Sequence, residues 1–169
     1  MSGSPTHAPV VLDAWFNLQC PDCRTALGDL RALRARYGNR LQVRLRHFPL
    51  DRHRYAAAAA QASVEAGVQG DPWGYAEAVL ARTEELAELG EELLVEVAKE
   101  RGLDAVELAA ALAEGRHRAV VESDRAEGVA LGVTGTPSYG IGGERLDGGR
   151  SQEGLRVRIE RLADGLLGG

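Results

Sequence analysis

The sequence predicts an α/β fold in which a β-α-β unit and a later α-β-β-α unit flank an inserted all-helical subdomain. Three observations carry this prediction. An apolar strand at residues 10–16 runs directly into a helical pattern, an alternating strand follows at residues 41–48, and residues 53–131 show only helical signals. After them, the Gly142-Gly143 dipeptide between two short apolar runs is typical of a β-hairpin.

Each element has its own local signal. Residues 21–37 place apolar side chains at helical spacing and are followed by Gly38, a stop signal. At residues 41–48 apolar and polar residues alternate, which predicts a strand with one buried face, and the helix between the two strands makes them parallel. Within the insertion, Asp71 is expected to cap a helix that starts at Pro72.

The predicted organisation is one core interrupted by one insertion. A chain of 169 residues is long enough for a single domain with a sizeable core, but not comfortably for two. We assign residues 8–52 and 117–167 to the core and residues 53–116 to the helical insertion. The last core element is expected to be an amphipathic helix over residues 151–167.

Composition and charge narrow the classes of partner. The net charge is −5, without the basic excess typical of nucleic-acid binders, so no nucleic-acid partner is expected. No apolar segment approaches the roughly 18–20 residues of a membrane span, and residues 1–9 lack the features of a secretory signal. We therefore expect a cytoplasmic protein with no membrane partner. The single lysine among 20 basic residues, with abundant Ala and Gly, indicates a bacterial genome of high GC content.

The two cysteines of the chain, Cys20 and Cys23, lie where a strand ends and a helix begins. A helix N-terminus presents unpaired N–H groups and a partial positive charge, and both favour the thiolate, which is the nucleophilic form of cysteine. Pro21 suits the first helical position, because its missing N–H would have no partner there. The two-residue spacing allows Cys23 to reach Cys20 within one helical turn, which predicts a redox-active pair.

The two cysteines have two other interpretations, a structural zinc site and inert cysteines. A structural zinc site needs four ligands, and the four histidines of the chain offer no pair at the usual close spacing. Inert cysteines are the other alternative. We expect the redox interpretation, with no metal ion and no cofactor besides the redox-active Cys20–Cys23 disulfide.

The Thr136-Pro137 dipeptide just before the predicted hairpin is a second candidate feature. Proline is tolerated at the start of a strand because it lacks the ladder donor, and an X–Pro bond is the one peptide bond that is commonly cis. On its own, such a dipeptide before a strand is an ordinary trans turn more often than not. The dipeptide is informative because the same chain also contains the Cys20-Pro21-Asp22-Cys23 motif.

Taken together, these motifs resemble the DsbA family of thioredoxin-fold oxidoreductases, in the branch with cytoplasmic FrnE-like and actinobacterial members. The resemblance covers roughly residues 10–165 in the order of the family. The residues that carry it are Asp13 to Cys23, His47-Phe48-Pro49-Leu50 with His53, Gln69 to Trp73, Gly132 to Pro137, and Gly142-Gly143.

This resemblance implies a thioredoxin fold with an inserted helical domain, and it implies roles for the site residues. Cys20 would form a mixed disulfide with the substrate, and Cys23 would resolve it. Pro137 would be cis and face Cys20, while Thr136 would offer backbone hydrogen bonds to an extended substrate. The substrate would be a protein or a low-molecular-weight thiol or disulfide.

Three residues are expected to modulate the site: Pro21, Asp22 and His53. Many relatives carry an aromatic residue or histidine where this chain has Asp22, so we expect a higher Cys20 pKa than in a strongly oxidising relative, and a weaker oxidant. His53 is expected either to steady the thiolate or, more simply, to start a helix or contact the neighbouring domain.

A further departure from the family lies six residues before Cys20. Thioredoxins and many relatives place a buried acid there, whereas this chain has Ala14, and Asp13 is expected on the opposite face of the strand.

Two alternative functions remain open at this point. One is a glutathione- or mycothiol-dependent transferase, reductase or isomerase, related to the kappa-class glutathione transferases. The other is a binding module or chaperone whose cysteines are incidental. The sequence carries no signal for the substrate, the direction of electron flow or the oligomeric state.

Overall fold

A four-stranded mixed sheet forms the centre of the protein, in a computed structural model that describes residues 8–147 and 154–168. The strand order is β2-β1-β3-β4. As predicted, the first two strands are parallel, and the hairpin adds two antiparallel strands on the other side of β1. The strands are β1 (Val10–Phe16), β2 (Leu41–His47), β3 (Ser138–Ile141) and β4 (Glu144–Asp147).

Eight helices surround this sheet in the described part of the chain, and five of them, α2 to α6, lie between β2 and α7. The order of elements predicted from the sequence is confirmed. The helices are α1 (Pro21–Tyr37), α2 (Ala56–Val68), α3 (Pro72–Leu80), α4 (Thr83–Leu89), α5 (Glu91–Glu100), α6 (Ala105–Glu114), α7 (Arg118–Leu131) and α8 (Leu155–Leu166). Residues 151–153, the expected start of the last helix, lie outside the described residues.

Asp71 occupies the N-cap position of α3, as expected, but its side chain makes no capping hydrogen bond. Its carboxylate instead accepts a hydrogen bond of 2.7 Å from Nε of Arg101, next to the C-terminal end of α5. A charged guanidinium is a stronger partner than a helix amide, so the side chain turns toward it.

The sheet has two faces with different partners. On the α1 face, Leu12, Ala14 and Phe16 join the large apolar core beneath α1, α3 and α8. On the α7 face, Trp15 packs with Phe48 in a separate small cluster against α7. Because side chains alternate along a strand, neighbouring residues of β1 belong to different faces.

Trp73 of α3 fastens the insertion to the α1 face. Its indole Nε1 donates a hydrogen bond of 3.2 Å to the carbonyl of Val43 in β2. The Arg34 guanidinium of α1 lies 4.1 Å from the centre of its ring, a favourable cation–π distance. The edge of the Phe16 ring completes the contact, with ring centres 6.1 Å apart. These contacts hold the insertion beside the end of β1 from which the cysteine motif follows.

Every helix in residues 8–147 and 154–168 is too short or too polar to span a membrane.

Candidate active site

The two cysteines occupy the junction between β1 and α1 as predicted. Cys20 is the N-cap residue of α1 in extended conformation, with Pro21 in the first helical turn. The Cys20 carbonyl accepts hydrogen bonds from the N–H groups of Cys23 and Arg24, at 3.2 and 3.3 Å. Cys20 is 3% exposed and Cys23 is fully buried, and both are free thiols. The more accessible sulfur is therefore the one at the end of the helix.

The loop before β3 completes the site from 116 residues further along the chain. The Thr136–Pro137 peptide bond is cis. The Thr136 carbonyl oxygen lies 3.8 Å from Cys20 Sγ, so the fold brings the loop against the sulfur. Thr136 is 6% exposed. The structure thus brings together Cys20, Cys23, Thr136 and Pro137, the four residues proposed from the motifs.

The local environment strongly favours the thiolate of Cys20. The hydrogen bond with the Cys23 side chain lowers the pKa of Cys20 to about 5, despite the opposing effect of burial. The N–H groups of Cys23 and Asp22 and the Thr136 side chain lower it further. Amides of the first helical turn are thus among the causes, as expected of a thiol at a helix N-terminus. At neutral pH, Cys20 is a nucleophile that needs no base.

The pKa of Cys23 is shifted in the opposite direction. Burial raises the pKa of Cys23 well above its ordinary value, and the neighbouring Cys20, as hydrogen-bond partner and as charge, raises it further. The N–H of Asn17, 3.5 Å from Cys23 Sγ, opposes this shift. The two cysteines, one helical turn apart, are therefore in opposite protonation states at neutral pH: Cys20 is a thiolate and Cys23 is a thiol.

The Thr136 hydroxyl is buried and has no hydrogen-bond partner among the described residues. It does not meet hydrogen-bond geometry to either sulfur, but it lies close enough to lower the pKa of both Cys20 and Cys23. A buried hydroxyl without an acceptor is free to turn toward whichever sulfur carries the charge.

Asn17 connects the site to the insertion, a role that the sequence did not predict. Its Oδ1 accepts a hydrogen bond from the Gln19 N–H at 2.9 Å, which leaves its Nδ2 to donate to His53 Nδ1 at 2.6 Å. The proton of a neutral His53 ring is therefore on Nε2. His53 meets Asn17 rather than a sulfur, so the interdomain contact is the interpretation that the geometry favours.

A second bond ties the same loop to the insertion. Gln19 Oε1 accepts a hydrogen bond of 2.9 Å from the N–H of Tyr55, the residue before α2. Asn17, Gln19 and His53 thus fix the segment that approaches Cys20.

Asp22 is exposed, and its backbone N–H makes the smallest of the contributions that lower the pKa of Cys20, after those of Cys23 and Thr136. The comparison with a strongly oxidising relative stays a prediction. Ala14 is fully buried, and Asp13 lies on the other face of the sheet, where Arg44 Nε is 2.7 Å from its carboxylate. The expected orientation of Asp13 is confirmed.

Within residues 8–147 and 154–168, no group of three or more His, Cys, Asp or Glu side chains is arranged to hold a metal ion.

A family model confirms the character of the fold. Residues 11–160 match the model of the DSBA-like thioredoxin domain.

Solved structures resemble the chain over most of its length. A thioredoxin-like oxidoreductase from Silicibacter pomeroyi is 23% identical, with 90% of this chain and 85% of that chain covered and a TM-score of 0.73. BdbD from Bacillus subtilis is 18% identical, with 94% and 90% covered and a TM-score of 0.78. DsbA from Xylella fastidiosa is 18% identical, with 98% and 90% covered and a TM-score of 0.79. The predicted thioredoxin fold with a helical insertion is confirmed.

Similar sequences also occur in much longer proteins. The Na⁺/H⁺ antiporter NhaA of Herminiimonas arsenicoxydans is 34% identical over 144 residues, which are 85% of this chain and 22% of the antiporter. Na⁺/H⁺ antiporter NhaA 1 of Salinispora arenicola is 32% identical over 157 residues, 92% of this chain and 23% of that protein. The chain thus spans about a fifth of the length of these curated relatives, and the similarity concerns a domain-sized part of them.

Proposed function

Since the chain belongs to the family of DSBA-like thioredoxin domains, we propose that it is a thiol:disulfide oxidoreductase. Cys20 is the nucleophile, and Cys23 is the resolving thiol. The observation that carries this assignment is the opposite direction of their pKa shifts, lowered for Cys20 and raised for Cys23. An exchange enzyme needs one thiolate that attacks and one protonated thiol that waits until a mixed disulfide has formed.

The reaction proceeds in two exchange steps. The Cys20 thiolate attacks one sulfur of the substrate disulfide, a Cys20–substrate disulfide forms, and the first substrate thiolate leaves and takes up a proton. Cys23 then loses its proton and attacks Cys20 Sγ, while the second substrate thiolate leaves and is protonated. Two electrons pass from the cysteine pair to the substrate. The same steps in reverse oxidise a substrate dithiol.

The loop at Thr136 and Pro137 is the proposed site of substrate contact. Pro137 carries no N–H, so a substrate chain that lies beside this loop meets the polar backbone groups of Thr136. The Thr136 carbonyl is already within 3.8 Å of Cys20 Sγ, which places an approaching disulfide between the loop and the helix N-terminus. We propose a protein disulfide or a low-molecular-weight disulfide as substrate.

The alternative of a small-thiol-dependent transferase needs only one activated position and leaves Cys23 without a purpose. If the chain were a binding module, the opposite pKa shifts of Cys20 and Cys23 would have no role in its function. The observed geometry therefore favours exchange. The cytoplasmic location stays a prediction, as do the boundaries of the two domains.

Trapping the intermediate tests this proposal. The Cys23→Ser variant, incubated with glutathione disulfide or with insulin, is expected to accumulate a mixed disulfide at Cys20, visible in the mass of the intact protein. The wild type is expected to release both substrate thiols and to end as the Cys20–Cys23 disulfide. Cys20→Ser is the matched control and is expected to form no adduct. An adduct on Cys23 in that control, or no adduct in Cys23→Ser, would reverse or remove the assigned roles.

A further inference from the structure

A cavity of about 430 Å³ lies between the segment that follows β2 and the helices α2 and α7. Cavities of this size hold small molecules in other proteins. Its lining combines apolar side chains, among them Leu50 and Val121, with three arginines: Arg54, Arg118 and Arg125. In a chain whose net charge is −5, three cations around one cavity favour an anionic ligand.

The charge of these three arginines is not neutralised by neighbouring carboxylates. None of the three guanidinium groups forms an ion pair or a hydrogen bond with a residue in the described part of the chain. The Arg54 guanidinium lies 5.2 Å from the centre of the Tyr55 ring, and that of Arg125 lies 5.7 Å from the centre of the Phe48 ring. Such contacts hold a guanidinium in place and leave its N–H groups available to a ligand.

Two carboxylates, Asp51 and Glu122, line the same cavity, and neither forms an ion pair within residues 8–147 and 154–168. Arg118, Glu122 and Arg125 are spaced i, i+4 and i+7, so they share one face of α7. Arg118 precedes Glu122, which is the less favourable order for an ion pair along a helix. A ligand that complements this lining carries carboxylates and an ammonium group, with the carboxylates in excess.

His53 connects the cavity to the cysteines. It lines the cavity, and its Nδ1 accepts a hydrogen bond from Asn17 at 2.6 Å. The Asn17 carbonyl in turn accepts the Cys20 N–H at 3.0 Å. One residue and two hydrogen bonds thus separate the cavity lining from the Cys20 backbone, a span of about 10 Å. An extended peptide of three residues covers about the same distance.

We propose that this cavity binds the charged end of a peptide-like, low-molecular-weight disulfide whose sulfur meets Cys20. The carboxylates of the ligand bind the three arginines, and its ammonium group binds Glu122 or Asp51. This inference rests on the proposed function and names its substrate class. In the exchange, a bond forms between Cys20 Sγ and one substrate sulfur as the substrate S–S bond breaks, and the other half leaves as a thiolate and takes up a proton.

The reaction of the reduced protein with two disulfides tests this assignment. Glutathione disulfide carries carboxylates and ammonium groups, whereas bis(hydroxyethyl) disulfide carries no charge. The measured quantity is the ratio of their two rate constants with Cys20, followed in quenched samples by the mass of the intact protein. Arg118→Gln is expected to lower this ratio about threefold, and the double variant with Arg54→Gln about tenfold, as exposed charge pairs allow.

Arg158→Gln is the matched control. Arg158 of α8 is exposed, lies outside the cavity lining, and forms no ion pair with a described residue. The variant removes the same unit of charge and is expected to keep the wild-type ratio. Glu122→Gln tests the ammonium contact, and it is expected to shift the preference toward dithiodipropionate, which has carboxylates but no ammonium group. Equal ratios in Arg118→Gln and Arg158→Gln would overturn the inference.

The binding of S-methylglutathione separates this inference from the proposed function, because this thioether carries the same charges and cannot exchange. Calorimetric titration of the oxidised protein is expected to show saturable binding that weakens about threefold in Arg118→Gln and stays unchanged in Arg158→Gln. If no binding occurs while disulfide exchange proceeds, the inference alone is overturned. Binding by a protein that exchanges neither disulfide would overturn the proposed function, and with it the role of this ligand as a substrate.

Discussion

Beside the cysteines, the buried Thr136 hydroxyl has no hydrogen-bond partner among the described residues, whereas on the α7 face charged side chains pair between helix and sheet. The carbonyl oxygen of the same Thr136 lies 3.8 Å from Cys20 Sγ. On the other face, Arg46 meets Asp124 at 3.0 Å and also pairs with Glu127. The paired side chains of the α7 face stabilise the packing of helix on sheet. The Thr136 hydroxyl, by contrast, is free to turn toward a charged sulfur.

On the α7 face, hydrogen bonds and an ion pair attach helix α7 to the sheet. The Trp15 indole donates a hydrogen bond of 2.8 Å to the Asp124 carbonyl of α7, and the His47 N–H donates to the Asp124 carboxylate at 3.1 Å. The same carboxylate pairs with Arg46 of β2. Every one of these bonds joins the helix to the sheet, so together they hold α7 in place.

The largest expected loss of stability comes from removing an aromatic ring at the centre of the α1 face. Phe16 is 1% exposed and its ring meets both Trp73 and Tyr139. Phe16→Ala is expected to lower the free energy of unfolding by about 3–5 kcal/mol, because it leaves a cavity and frees both rings. Denaturant unfolding measures the loss.

Phe48→Ala is the matched control on the α7 face, where Phe48 is 4% exposed. It is expected to cost similar stability. Only Phe16→Ala is expected to slow resolution by Cys23 as well, because Phe16 directly precedes Asn17, whose N–H lies 3.5 Å from Cys23 Sγ. Equal slowing of the resolving step in both variants would contradict the view that only the α1 face supports Cys23.

A smaller loss of stability is expected from a substitution that tests how closely α7 packs on the sheet. A Cβ added at Gly128 would lie 2.8 Å from Trp15 Nε1 and 3.1 Å from the Phe48 ring. Gly128→Ala is expected to lower the free energy of unfolding by about 1–3 kcal/mol, because helix and sheet must move apart. The exchange rate per folded molecule is expected to stay at the wild-type value.

Gly28 of α1 offers the control for this variant, because a Cβ there meets no atom within 4 Å. Gly28→Ala is expected to stabilise the protein by about 0.5–1 kcal/mol, since alanine loses less conformational freedom in a helix. If Gly128→Ala proved as harmless as Gly28→Ala in denaturant unfolding, the close approach of α7 would be refuted.

Much of the redox site was readable from the sequence because its signals are local. Cys20, Pro21 and Cys23 follow one another within a strand–helix junction, and the Gly142-Gly143 turn sets the hairpin by itself. Such signals need only the neighbouring residues.

The residues that sequence reasoning missed depend on distant partners. Asn17 meets His53 across 36 positions of the chain, and that contact depends on the orientation of both side chains. Asp71 makes no capping hydrogen bond because Arg101, which follows α5, binds its carboxylate. Register and competition between partners follow from tertiary structure, and no short stretch of sequence encodes them.

The reduction potential of the Cys20–Cys23 pair as a function of pH tests the central claim most directly. The lowered pKa of Cys20 means that, above about pH 5, the reduced pair holds only the Cys23 proton. Reduction then takes up one proton for two electrons, so the potential is expected to fall by about 30 mV per pH unit, and by about 60 mV per unit below the Cys20 pKa.

Equilibration in glutathione buffers, with free thiols trapped at each pH, measures this potential. The expected result is a reversible two-electron transition with a change of slope near pH 5. A steady slope of about 60 mV per pH unit through neutral pH would show that Cys20 is not a thiolate. The absence of any disulfide between Cys20 and Cys23 would contradict the redox function itself.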